Sequence, residues 1–203
     1  MVKAFEKITN EIYRLKVPFE NLYTSVFLIK TPQGNALVDC ATYDSDVDEY
    51  IIPALNELGW CLGDIKYLIL THKHGDHAGG VKRVLELAPS IEIVQKERSI
   101  LLNGIIIYAL KGHTLDCIGV FDEKSGTLIS GDGLQGAGVG KYRCSLENQE
   151  EYLQTIKTIQ ADKRIKNILF SHSYEPWYKD CACGREEVEC CLEDCKQYVV
   201  KGE

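Results

Sequence analysis

Residues 72 to 77 read His-Lys-His-Gly-Asp-His. Four imidazole or carboxylate groups within six residues cannot all enter a core without partners, because each loses its hydration there. His72 and His74 stand two apart, so in extended backbone both project from one side, toward a single ion. Gly75 permits a turn that swings Asp76 and His77 toward a second ion. Imidazole and carboxylate donors suit zinc, iron or manganese, whereas thiolate sites select softer ions.

The same kinds of side chain recur at one kind of position, just past a short apolar run. Asp39 follows residues 36–38, His72 follows 65–70, and His113 follows 105–110. Asp132 follows the run ending at Ile129, and His172 follows the run ending at Phe170. The ends of strands are where α/β proteins build ligand sites, since the sheet holds the loops rigidly from below. A solitary histidine is usually structural or solvated, but all five histidines of this chain fall in these segments. Asp132 can also be read as a turn residue in Ser-Gly-Asp-Gly, and Asp39 as a strand-end cap.

The elements that must position these residues are legible as alternating patterns. Strands are expected at 8–17, 23–31 and 36–38, with a turn at Pro32-Gln33-Gly34-Asn35. A helix is expected from about Ser45, where Val47, Tyr50, Ile51, Ala54, Leu55 and Leu58 recur at helical spacing until Gly59. Pro53 should kink that helix or mark its true start. Further helices fit 79–87, 146–159 and 185–200, and strands fit 65–70, 91–94, 105–110, 118–121, 127–129 and 167–170. Clustered strands with single helices between them predict layered α/β architecture with mixed sheets flanked by helices. No repeat or linker interrupts the chain, so residues 1–203 read as a single domain ending in a Cys-rich helix at about 185–200.

Order and spacing together resemble the metallo-β-lactamase superfamily, whose signature is a His-x-His-x-Asp-His loop followed by three later ligand segments. Residues 71–80 match the loop through Gly79-Gly80, Gly112-His113-Thr114 the next segment, Ser130-Gly131-Asp132 the third, and Ser171-His172 the last. Asp39 matches the acidic residue that precedes them and supports the site from behind its ligands. The resemblance runs from about residue 20 to 175 and implies a four-layered αβ/βα sandwich, with the metals in a shallow groove at one sheet edge. It implies that His72, His74 and His113 bind one ion, that Asp76, His77 and His172 bind the other, and that Asp132 bridges them.

Such a chain is expected to be a hydrolase with two divalent ions, zinc first, with iron or manganese as alternatives. Ions roughly 3.5–4 Å apart share one water and lower its pKa from about 15.7 toward 7, making a hydroxide that attacks a carbonyl or phosphoryl centre. Asp76 is the expected proton acceptor, so Asp76 and Asp39 are the catalytic candidates, and Thr71 and Thr114 should orient ligands. The glycine-rich stretch from Gly133 leads to Lys141, Tyr142 and Arg143, a grip for an anionic part of the substrate or else a solvated turn. Tyr174 and Trp177 either wall the groove or cover the core.

The expected substrate is a small ester, thioester or lactone. The alternatives are a mononuclear iron enzyme resembling persulfide dioxygenases and, further off, a phosphodiesterase. Only about thirty residues follow His172, which leaves no room for the helical substrate domain of glutathione-thioester hydrolases.

A net charge of −7 repels phosphate backbones and anionic lipids, which argues against nucleic acid as a partner. No run of 18 apolar residues offers a membrane span, and the N-terminus lacks the apolar region of a signal peptide, so a cytoplasmic protein is expected. Homo-oligomerisation is left open. Nine cysteines, an odd number, are expected to be reduced thiols. Cys191 and Cys195 follow the apolar stripe of the last helix, whereas Cys181, Cys183 and Cys190 lie off it. An accessory metal or redox site made from those three and one further cysteine is the sharper reading of this cluster.

Overall fold

The computed structural model describes residues 4–102, 104–135, 146–173 and 179–201. The chain divides into two compact units, Met1–Gln95 and Lys96–Glu203.

The first unit holds β1 (Glu6–Lys7), β2 (Ile12–Phe19), β3 (Leu22–Thr31) and β4 (Gly34–Val38), an antiparallel meander. Then come α1 (Asp44–Asp46), a π-helical turn (Val47–Ile51), α2 (Ile52–Glu57) and a 3-10 turn (Leu62–Asp64). The unit closes with β5 (Ile65–Ile69), α3 (Gly75–Ala78), α4 (Val81–Leu87) and β6 (Glu92–Val94). The six strands lie in sequence order, and β4, β5 and β6 run parallel. Leu15, Val26, Leu28, Leu37 and Leu68 from the sheet pack with Val47, Ile51, Leu55 and Val84 from the helices. The alternate row, Phe27, Ile29, Val38 and Ile69, is buried as well. Strands buried on both faces read as continuous apolar runs, which is why 23–31 and 65–70 stand out.

Two expectations are corrected here. Residues 8–11 are not strand: the Ile8 and Thr9 amides donate to Ile12 O, and the Thr9 hydroxyl accepts from Glu11 and Ile12, which makes a turn between β1 and β2. The helix expected from Ser45 changes pitch midway, where the Ile52 amide reaches back five residues to Val47 O. Pro53 is the cause: it has no N–H, and its ring crowds the carbonyl four residues before it.

The second unit holds β7 (Arg98–Leu102), β8 (Ile105–Ala109), β9 (Ile118–Asp122), β10 (Thr127–Ile129), α5 (Gln149–Ala161), β11 (Asn167–Leu169), β12 (Cys181–Cys183) and α6 (Arg185–Lys201). Its sheet order is β12-β11-β10-β9-β8-β7, with only β10 and β11 parallel neighbours. Phe121, Leu128, Ile168 and Phe170 pack against Tyr152, Ile156 and Ile159 of α5 and Val188, Leu192 and Val199 of α6. The helix expected from residue 146 starts at 149 because the Asn148 side chain caps it, accepting from the Glu151 amide at 3.0 Å.

Direction along the sheets decides where chemistry can gather. In the first unit β4 and β5 run parallel, so the segments carrying Asp39 and His72 leave at the same edge. In the second, β8 and β10 are each antiparallel to β9, and β11 is parallel to β10. The segments carrying His113, Asp132 and His172 therefore also leave at one edge. Among the described residues, no helix is long and apolar enough to cross a membrane.

Candidate metal centre

Asp39 is the hub of the first unit. It adopts a left-handed backbone with φ 62°, and its amide donates to Ile69 O at 2.9 Å, tying the end of β4 to the end of β5. Its fully buried carboxylate accepts the Thr71 amide at 2.8 Å, the Thr71 hydroxyl at 2.8 Å and His77 Nδ1 at 2.7 Å. An ionised carboxylate only accepts, so His77 carries its proton on Nδ1 and presents the lone pair of Nε2. The Thr71 hydroxyl gives its one proton to Asp39 and stands 3.2 Å from His72 Nδ1, from which it accepts. One carboxylate thereby fixes the tautomer of two imidazoles, the arrangement that outer partners impose on metal-binding histidines.

His72 and His77 are buried and their rings lie 4.2 Å apart, while His74 is exposed at 4.6 Å from His72. Ring nitrogens of His72 and His74 lie within 4.8 Å of each other, as do the ligand atoms of Asp76 and His77. Gly79 and Gly80 explain how this loop is clasped. A methyl group on Gly79 would stand 1.8 Å from Thr42 O, and one on Gly80 would stand 2.4 Å from Cys40 O. Backbone bonds from Gly79 to Ala41 O and from Cys40 to His77 O complete the contact.

In the second unit His113, Asp132 and His172 are all buried. The turn before His113 depends on Gly112, at φ +140°, where any side chain would meet the Tyr152 backbone at 2.6 Å. Glu147 holds the same turn from outside: its amide donates to His113 O and its carboxylate accepts the Leu115 amide at 2.9 Å. The sequence did not single out Glu147 or Tyr152, since neither bears a recognisable spacing to a ligand. The turn holding Asp132 is braced by the Ser130 hydroxyl, 3.1 to 3.2 Å from the carbonyls of Gly131, Leu134 and Leu169.

Asp132 lies between the two histidines, with Oδ2 3.8 Å from His113 Nε2 and Oδ1 3.4 Å from His172 Nε2. In the first unit Asp76 Oδ2 lies 3.6 Å from His77 Nε2. These separations exceed an N–H···O hydrogen bond of about 2.7–3.2 Å. Two donors bound at about 2.0–2.1 Å to one tetrahedral ion stand roughly 3.3–3.4 Å apart. The spacing therefore fits side chains arranged around metal better than side chains bonded to each other.

Thr114, expected beside a ligand, meets Cys117 Sγ at 3.1 Å. Burial pushes the Cys117 thiol up to about 12, so it stays protonated at neutral pH. Lys141, Tyr142, Arg143, Cys144, Tyr174 and Trp177 lie outside the described residues.

The crystal structure of the metallo-β-lactamase FIM-1 from Pseudomonas aeruginosa in its mono-zinc form matches this one with a TM-score of 0.75 at 18% identity. The match covers 97% of this chain and 96% of that one. The chain has the metallo-β-lactamase fold. The mixed sheets and flanking helices expected from the sequence are those of this α/β class. A family model described as the metallo-beta-lactamase superfamily matches residues 20–104, the part that carries Asp39, His72, His74, Asp76 and His77. Curated relatives of this metallo-β-lactamase-fold chain include a beta-lactamase-like protein 2 homolog from Caenorhabditis elegans, 26% identical over 80% of this chain and 62% of that protein. A hydroxyacylglutathione hydrolase from Pseudomonas fluorescens is 29% identical over 64% of this chain and 58% of that enzyme. The chain thus spans about three-fifths of the length of these two relatives.

Proposed function

We propose that the chain is a metal-dependent hydrolase of small esters, thioesters or lactones, and that residues 1–203 work as one domain because both units supply its ligands. In this reading His72, His74 and His113 hold one ion, Asp76, His77 and His172 hold the other, and Asp132 bridges them. The observation that carries it is the placement of Asp132, with one carboxylate oxygen toward His113 and the other toward His172. The superfamily match and the hydrolase among the relatives support the reaction class.

When bound, two divalent ions, zinc first, would supply an activated water and a positive charge for the carbonyl oxygen. The residues of the chain do the rest. Asp39 and Thr71 lock His72 and His77 with Nε2 outward. Asp76, with a side chain 18% exposed, is the carboxylate able to take the proton that the attacking water gives up. Cys117, kept protonated by burial, supplies no competing thiolate.

Metal analysis and a panel of thioesters, lactones and phosphodiesters test this reading. Two ions per chain and turnover of an acyl substrate are expected. Asp132→Ala should lower metal occupancy and abolish turnover. A variant that keeps two ions and full activity would remove the bridge from the assignment.

A further inference from the structure

β12 carries a second set of metal-capable side chains. It is an edge strand of its sheet, paired with β11, and Cys183 lies opposite Asn167, at the end of β11 remote from His172. Cys181 and Cys183 are two apart on this strand and so share a face, with their Sγ atoms 3.6 Å apart. Cys183 is exposed and Cys181 half-buried, so solvent reaches the pair. The Cys183 amide donates to Glu187 Oε2 at 3.0 Å, which ties the end of β12 to the first turn of α6.

The wider cysteine cluster does not join them. Cys191 and Cys195 are buried in the core, and each donates to Gln135 O at 3.5 Å. Among the described residues no three cysteines converge on one point, so the four-cysteine site reduces to this pair.

A pair of thiols can close as a disulfide or open around a metal. Two Cα atoms two apart on a strand lie about 6.6 Å from each other, near the long limit of about 6.8 Å for disulfides. Bringing the sulfurs from 3.6 Å to about 2.05 Å would require both side chains to turn toward each other at a separation close to the end of that range. A chelate needs no such movement, because two thiolates bound at about 2.3 Å to a tetrahedral ion stand roughly 3.8 Å apart.

We propose that Cys181 and Cys183 form a two-thiolate site for a soft metal ion, of the zinc, cadmium or copper(I) kind, whose remaining positions are filled from solvent. Binding exchanges the ion for two thiol protons released to solvent, so affinity rises with pH. The site is separate from the His/Asp ligands, and its occupant prefers sulfur.

The test is cadmium titration of reduced, full-length protein whose His/Asp ligands are already loaded with zinc. One added ion per chain is expected, with an ultraviolet sulfur-to-cadmium charge-transfer band and the loss of two thiols reactive toward a labelling reagent. Substitution of the His/Asp ligands' zinc would give no such band. Cys181→Ser and Cys183→Ser should each weaken cadmium binding at least roughly tenfold, a loss of about 1.4 kcal/mol or more. Cys61→Ser and Cys190→Ser, at two other exposed cysteines, should leave it unchanged. A band that survives in both Cys181→Ser and Cys183→Ser, or no saturable band in the wild type, overturns the proposal. So does a protein that takes no cadmium but joins Cys181 to Cys183 under oxidised glutathione, losing two hydrogens; the pair would then be a disulfide device.

Discussion

Asp39 touches His77 directly and His72 only through the Thr71 hydroxyl, yet both imidazoles depend on it. Its worth lies in being a full carboxylate. Asn at this position would keep the shape but offer one accepting oxygen and an NH2 group to partners that are both donors. Either the Thr71 amide, bonded to Oδ1, or His77 Nδ1, bonded to Oδ2, would then lose its acceptor, and in the second case the histidine could flip its tautomer. Asp39→Asn should weaken metal binding about ten- to hundredfold, as the loss of outer partners typically does. Competition against a chromophoric chelator measures this. Unchanged affinity would mean that Asp39 merely caps β4, the other reading its position at a strand end allowed.

Elements place the ligands through close approaches that only glycine permits. Gly79 and Gly80 separate α3 from α4 and let the loop after Asp39 rest against the backbone of both. Gly79→Ala drives a methyl into Thr42 O, and overpacking of that kind costs about 1–3 kcal/mol. For a chain of this length that corresponds to a lower melting temperature by roughly 2–12 °C. The displaced α3 carries Asp76 and His77, so metal content should fall as well. Gly63→Ala, where a methyl makes only an ordinary contact of 3.4 Å with Cys61 Sγ, is the control for a merely local glycine effect. If Gly79→Ala melts and binds metal as the wild type does, the clasp does not position the ligands.

The same elements show what a sequence discloses. Strands buried on both faces, such as β3 and β5, announce themselves as apolar runs, and His72 follows three residues after β5. Two- and three-residue strands such as β1 and β12 carry too few residues for any period to show, so β12 stands out only by its cysteines. The π-helical turn before Pro53 was legible as a disturbance but not as a change of pitch. Glu147 escaped because its grip on the His113 turn joins residues 32 apart, with no periodic trace.

At the scale of the whole molecule, the proposed site asks each unit for part of its ligand set. The first supplies His72, His74, Asp76 and His77, and the second supplies His113, Asp132 and His172. Ions held by both units bind the folded, joined chain and not its unfolded segments, so they stabilise both units at once. At a hundredfold excess over Kd the gain is about 2.7 kcal/mol per ion. For a chain of this size each ion would then raise the melting temperature by roughly 5–11 °C. Hydrogen exchange separates the two units, because Leu28 and Leu37 report on the core of the first and Phe121 and Leu128 on the core of the second. Chelation should lower protection at all four positions together. Asp132→Ala, a change in the second unit, should lower protection at Leu28 and Leu37 in metal-loaded protein and have no such effect after chelation. Loss of protection confined to one unit would assign the ions to that unit alone, and the seven residues would then not form a shared centre.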